Sequence, residues 1–440
     1  MVKAFVNVLK NKDIRTKLYY TLFILVVVRI GALIPIPGVD TQYFQTLLSG
    51  INDGDLSFLS AFTGGSFEKM SLFALSITPY ITAQIIIQLL TIAIPPLEEM
   101  QKEGEEGRKL IAKITRYATI ALSLVEGIAM GIGFGRQGLI RDYQGMSKLH
   151  YVASIIVVVC ALTAGSAILM WLGERVTEKG VGNGISVILL INIISGMPED
   201  FAGLFTTFIG GKTIPKGILS AAIIIAIVVI LVVLVVFLQD AERRIPVQYS
   251  QKVTGRRSFG GQGSNIPLKV NTAGVMPIIF ASSLMQFPVF IAQLVGKTDK
   301  EWIRYLSSSY WVRPSAPKYS LGLLLYIFLV IVFAYFYTSI TFNPIEVADN
   351  LRKSGAVVPG ITPGKSTSDY LNRILNYIIL VGAIGLMIVA LIPIICSGLF
   401  NASVSFGGTS IIIVVGVILE TMRQIESMTY NKHYKGFLSE

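Results

Sequence analysis

The fold class predicted by the sequence is an all-α polytopic membrane protein: ten transmembrane helices in two inverted five-helix halves, with one re-entrant half-helix. Three observations predict it. Apolar residues make up 53% of the 440 and charged residues only 14%, and a mean hydropathy of +0.67 exceeds what one soluble core can bury. Ten apolar stretches approach the roughly 20 residues that a helix needs to cross a bilayer. Finally, Ser57-Phe58-Leu59-Ser60-Ala61-Phe62-Thr63-Gly64-Gly65-Ser66 reads as a half-helix too short and too polar to span, ended by a glycine pair and followed by an apolar run. A helix broken in this way is tolerated at membrane depth only where its freed backbone faces protein or a water-filled cavity. The stretch therefore predicts a cavity.

In chain order, residues 1–17 carry five Lys and Arg and read as an amphipathic segment on the membrane surface. The first apolar run ends in Pro35-Ile36-Pro37-Gly38, which is no small-residue cleavage site, so no removable signal peptide is expected. The spans fall at 18–35, 68–94, 114–135, 151–172, 184–196, 218–238, 272–295, 320–342, 371–396 and 406–425. The fifth is short as drawn and is expected to start earlier. Residues 18–196 form an N-terminal half of helices one to five, with the half-helix at about 55–66. Residues 197–238 hold a linker and the sixth helix, 239–271 a loop, 272–426 helices seven to ten with a second loop at 343–370, and 427–440 a tail.

Charge sets the orientation. Of the 37 Lys and Arg, 25 lie in segments on the side of the amino terminus, 11 in the opposite loops, and Arg29 inside the first helix. The positive-inside rule makes both termini cytoplasmic. The net charge of +11 needs nothing beyond this bias and anionic lipid headgroups. Ile77-Thr78-Pro79-Tyr80-Ile81 in the second helix and Val275-Met276-Pro277-Ile278-Ile279 in the seventh each put a proline near the helix middle, the kind of echo that an inverted repeat leaves.

The loops at 239–271 and 343–370 are too long to be simple connectors. The first carries Arg243-Arg244, Arg256-Arg257 and the glycine-rich Phe259-Gly260-Gly261-Gln262-Gly263; the second carries Ser354-Gly355 and Pro359-Gly360-Ile361-Thr362-Pro363-Gly364. Long loops in a compact protein tend to carry binding sites.

Catalytic motifs are absent. There is no GxSxG, HExxH or Walker loop, and Gly131-Ile132-Gly133-Phe134-Gly135 follows an apolar helix where a phosphate cradle would follow a strand. Neither an enzyme nor a cofactor is expected. His150 and His433 lie far apart, and Cys160 and Cys396 fall in apolar runs, so the sequence offers no metal site and no disulfide framework. The remaining candidates are polar residues inside apolar runs, which are costly in lipid. They are Arg29, Glu126, and the hydrogen-bonding Gln88, Thr119, Asn192 and Asn271, whose interhelical bonds contribute about 1 kcal/mol each. Ile77 and Ile81, like Ile185 and Leu189, stand four apart on one helical face and read from the residues alone as packing positions.

Five groups of motifs carry a family resemblance. They are Ile77-Thr78-Pro79-Tyr80-Ile81 with Ile85-Ile86-Ile87-Gln88-Leu89-Leu90; Gly182-Asn183-Gly184-Ile185-Ser186; Pro267-Leu268-Lys269-Val270-Asn271 leading to Ala273-Gly274-Val275 and Phe280-Ala281-Ser282-Ser283; Ala348-Asp349-Asn350-Leu351 with Lys353-Ser354-Gly355-Ala356 and Val358-Pro359-Gly360-Ile361; and Phe406-Gly407-Gly408-Thr409-Ser410. In this order on a ten-helix profile, the chain resembles over essentially its whole length the SecY/Sec61-alpha family, the channel subunits of the Sec protein translocon.

The resemblance implies an hourglass-shaped channel for unfolded polypeptides. Its waist would be a ring of Ile77, Ile81, Ile185, Leu189, Ile279 and Ile413, since branched apolar side chains make a dewetting constriction. Leu56, Ser57, Phe58, Leu59, Ser60, Ala61, Phe62, Thr63, Gly64 and Gly65 would form a plug in the outer funnel. Gln88, Thr119, Asn271, Ser282 and Ser283 would belong to a lateral gate between the second and seventh helices, flanked by the third and eighth. Arg243, Arg244, Arg256, Arg257, Lys353, Thr362 and Lys365 would dock the SecA motor ATPase or the ribosome. Thr362 stands where many bacterial relatives carry an Arg tied to motor activation, and Lys365 lacks the bidentate fork of Arg.

The implied partners are SecE, SecG, SecA, the ribosome, signal sequences with their nascent chains, and membrane lipids; the implied location is the bacterial plasma membrane. The pore would be passive, with client segments shifting a closed state toward an open one. The rival reading is an inverted-repeat secondary transporter with Glu126 as its coupling acid. Such a transporter would line its centre with polar groups.

Overall fold

The computed structural model describes residues 11–50, 62–140, 147–208, 214–249, 253–254, 257–258, 263–294, 300–312, 317–400 and 408–436. Among them, ten helices of at least 16 residues follow the ten apolar stretches in order. The first half holds α1 (Lys12–Gly31), the short α2 (Thr41–Gly50), α3 (Thr78–Ala93), the short α4 (Pro95–Lys102), α5 (Glu105–Phe134), α6 (Lys148–Lys179) and α7 (Gly184–Phe208). Then come α8 (Ile214–Asp240), α9 (Met276–Leu294), the short α10 (Glu301–Leu306), α11 (Ser320–Thr341), the short α12 (Pro344–Lys353), α13 (Lys365–Phe400) and α14 (Gly408–Gly436). Six of the described helices are long and apolar enough to cross a membrane, or seven if α3 is joined to α4, from which it bends by 105°. The chain is a multi-pass membrane protein.

Several boundaries differ from the sequence reading. The second span is helical only from Thr78, because Gly64, Gly65, Met70 and Ser76 all have positive φ and the segment between them runs as turns. Pro79 then starts α3, where its missing N–H has no partner to lose. Pro277 likewise sits in the first turn of α9, so both prolines mark helix starts and not helix middles. The fifth helix grows at its far end, to Phe208 through Pro198, which moves the boundary drawn at 196 inside a helix. Finally, α1 begins at Lys12 behind an Asn11 cap, and α14 continues to Gly436, into the predicted tail.

The two long loops meet in one sheet. Strand β1 (Glu242–Tyr249) pairs antiparallel with β4 (Gly263–Lys269) and with β5 (Ala356–Val357), in the order β4-β1-β5. Between them, β2 (Val253–Thr254) and β3 (Arg257–Ser258) make a separate two-stranded ribbon. Ile245, Val247 and Leu268 point inward and bury against Leu371 and Leu375 of α13, so the sheet rests on the helix bundle through an apolar face. Within the first half, Phe44, Phe67 and Phe134 pack edge to face with centroids 5.1, 5.8 and 6.4 Å apart, pinning the turn segment after Gly65 against α2 and α5.

Candidate functional site

The six aliphatic positions converge. Ile77, Ile81, Leu189, Ile279 and Ile413 are all buried within one central apolar cluster, and Ile185 packs partly buried against it. They come from the start of α3, the start of α7, the first turn of α9 and the first two turns of α14. Ile81 and Ile279 hold equivalent places: each is the fourth residue of its helix and follows the helix-starting proline by two. The first turns of these helices thus bring branched side chains to a common centre.

The residues before α3 close over this cluster. Of the predicted plug, Leu56, Ser57, Phe58, Leu59, Ser60 and Ala61 lie outside the described residues. Phe62 and Thr63 are helical, and Gly64 and Gly65 turn the chain. Phe62 belongs to the central cluster. Its carbonyl accepts from Asn192 Nδ2 at 3.2 Å and from Ser76 Oγ at 3.2 Å, and Asn192 Nδ2 also donates to Ser76 Oγ at 3.0 Å. The next free carbonyl, that of Gly64, accepts from Arg29 Nη1 at 3.4 Å, and Ser195 Oγ lies 3.4 Å from it and 2.8 Å from the Asn192 carbonyl. Breaking a helix exposes backbone acceptors that must be satisfied, and α1 and α7 supply the donors. Asn192 and Arg29 stood out in the sequence as polar residues in apolar runs. Ser76 and Ser195 did not, because a serine costs too little in a helix to signal anything.

Beside the waist lies a cavity of about 340 Å³, between α3, α5, α9 and Phe333 of α11. These are the helices predicted to form the gate. Ser283 lines the cavity together with Gln286, Thr82 and Glu126, while Ser282 is buried next to it. Thr119 is fully buried and bonds its own helix, donating to the Thr115 carbonyl at 2.7 Å. Gln88 Oε1 and Asn271 Nδ2, an acceptor and a donor, are both buried without a hydrogen-bond partner.

On the loop side, Arg243 and Arg244 are exposed on β1, and Arg244 is held by Glu242 at 2.6 Å. Lys353, at the end of α12, is exposed, as are Thr362 and Lys365. Arg256 lies outside the described residues, and Arg257 contributes its backbone to β3, paired with Thr254.

The model of the SecY family matches residues 71–422, which takes in the six aliphatic positions, the helices around the cavity and both loops. The chain belongs to the SecY family. A relative from Streptomyces coelicolor, called protein translocase subunit SecY, is 41% identical over 450 residues, covering 100% of both chains. Among solved structures, one described as that of a protein conducting channel superposes with a TM-score of 0.62 at 18% identity, over 94% of this chain and 92% of that one. Another, Sec61 in the canine ribosome-channel complex from the endoplasmic reticulum, reaches 0.60 at 18% identity over the same shares. At these identities the structural likeness shows the fold, and the full-length relative shows the family. Membership disfavours the transporter reading, as does the centre of the molecule: where a transporter would gather polar groups, Ile77, Ile81, Leu189, Ile279 and Ile413 are buried together.

Proposed function

We propose that this chain is the channel through which protein translocase passes unfolded polypeptides, and from which apolar segments leave sideways into lipid. The observation that carries the proposal is the convergence of Ile77, Ile81, Leu189, Ile279 and Ile413 in one buried cluster, with Ile185 against it and Phe62 closing it. A ring of branched apolar side chains excludes water and ions at rest and yields around a threaded chain, since it makes no directional bonds. The segment ending in Gly65 acts as the plug. Its last carbonyls are held by a few polar donors, a hold weak enough to release.

The cavity between α3, α5 and α9 marks the lateral gate. The orphaned Gln88 Oε1 and Asn271 Nδ2 support that reading, because buried polar atoms lacking partners lower the stability of the closed interface. Energy comes from a partner, SecA or the ribosome, which docks on the sheet that joins the two long loops. SecE and SecG complete the complex in the plasma membrane, with both termini in the cytoplasm.

The test is crosslinking of a stalled secretory chain in a Cys160→Ser, Cys396→Ser background carrying Ile81→Cys or Ser282→Cys. Crosslinks at position 81 for translocating stretches and at 282 for signal sequences are expected. Absence of both from an actively engaged complex would overturn the assignment.

A further inference from the structure

One buried acid is left unused by the channel mechanism. Glu126 lies on α5 and lines the gate cavity, where it is only 9% exposed. Among the described residues it pairs with no side chain, and no Lys, Arg or His lines the cavity. The walls are apolar, with Ile85, Leu89 and Leu122 on one side and Leu284 and Phe287 on the other. A charged carboxyl group in a largely apolar lining is costly unless a donor or a cation meets it. The cavity, at about 340 Å³, is large enough for a long side chain entering from between α3 and α9. Thr82, Ser283 and Gln286 in its lining offer further oxygens to an ammonium group.

We propose that Glu126 is a specificity-determining residue of the gate, which holds client segments carrying a single lysine within an otherwise apolar stretch. The inference rests on the translocation reading, and it adds a chemical preference which that reading does not contain. An apolar cavity alone would select only for hydrophobicity. An acid in its wall makes one embedded cation tolerable at one depth, because a charge pair formed away from water is strongly coupled.

The test uses the complete translocase in proteoliposomes and a model client with a Leu/Ala host segment. A lysine is scanned along the segment, methionine at the same positions serves as the neutral control, and protease protection reads the ratio of membrane-inserted to translocated chains. With Glu126→Gln this ratio is expected to fall about tenfold for lysine at one or two adjacent positions, the order that one close charge pair contributes. It should stay unchanged for the methionine and host segments, and recover with Glu126→Asp. An equal fall for lysine, methionine and host segments would assign Glu126 a structural role and overturn the proposal. So would an unchanged lysine profile, or a lysine effect that vanishes when amine-bearing lipids are replaced by phosphatidylglycerol, since the cation would then be the lipid's. If the host segment were neither inserted nor translocated by the wild-type complex, the underlying channel reading would fail instead.

Discussion

Asn192 reaches across from the middle of α7 to the carbonyl of Phe62, donating at 3.2 Å, and shares its amide with Ser76 Oγ at 3.0 Å. Phe62 lies on the helical piece and Ser76 on the turn segment after it, so a single side chain on α7 ties both together. Asn192→Leu removes these bonds and keeps the volume apolar. The loss is about 1 kcal/mol, which shifts the balance toward the unseated state roughly fivefold. Resting ion conductance of the reconstituted channel should rise accordingly; conductance equal to wild type would sink the tether.

Gly64 combines φ of +60° with a close approach to α7. A Cβ there would meet Ser195 Oγ at 2.6 Å and the Asn192 carbonyl oxygen at 2.7 Å. Gly64→Ala is therefore expected to destabilise the seated segment by about 1–3 kcal/mol, seen as faster proteolysis next to the half-helix. Adding Ser195→Ala should restore little, because a backbone oxygen remains in the way. Full recovery in the double variant would show that the backbone contact carries no weight.

Ile279 and Ile413 sit in the central cluster, 5% and 1% exposed. Replacing either by Asn inserts a polar amide that has no partner there, at a cost of about 1–3 kcal/mol to the closed seal. Leakier resting channels and export of clients with defective signal sequences are expected. The volume-conserving Ile279→Leu should stay near wild type, within about 1.5 kcal/mol. Identical behaviour of the Asn and Leu variants would remove these positions from the ring.

Arg243 and Arg244 are both exposed on β1, but among the described residues only Arg244 is engaged, by Glu242 at 2.6 Å. Charge reversal of Arg243 should thus weaken motor or ribosome binding more than reversal of Arg244. The difference should shrink as salt is raised, since exposed charges are screened over about 10 Å at 0.1 M. Binding curves that superimpose for the two variants would exclude β1 as a contact. Reversal of Arg256 and Arg257 together is expected to weaken binding as well, measured in the same assay.

The apolar helices and their order were legible in the sequence because apolar length is a local property: a run such as Ile218 to Phe237 in α8 can only be a span, whatever surrounds it. Motif order carried the family, and the Gly64-Gly65 pair carried the break, since glycine marks backbone that other residues avoid. Helix starts were harder, and the second span shows why. The apolar residues from Phe67 to Leu75 look like helix, yet they belong to turns that bury Phe67, Met70 and Leu75 against α2 and α5. Side-chain packing from elsewhere in the chain overrode the local pattern.

The sequence by itself determined a membrane protein of this family, with its oily positions and its few costly polar residues. Only the tertiary structure decided which of them meet. Residues 77, 189, 279 and 413 have no relation in sequence, and they share a centre because the starts of four helices pack together. Arg29, Ser76, Asn192 and Ser195 became one tether because a broken helix leaves carbonyls that something distant must satisfy. Glu126 came to line the cavity for the same reason: which cavity a side chain enters depends on the neighbouring helices, and a single chain position does not encode its neighbours.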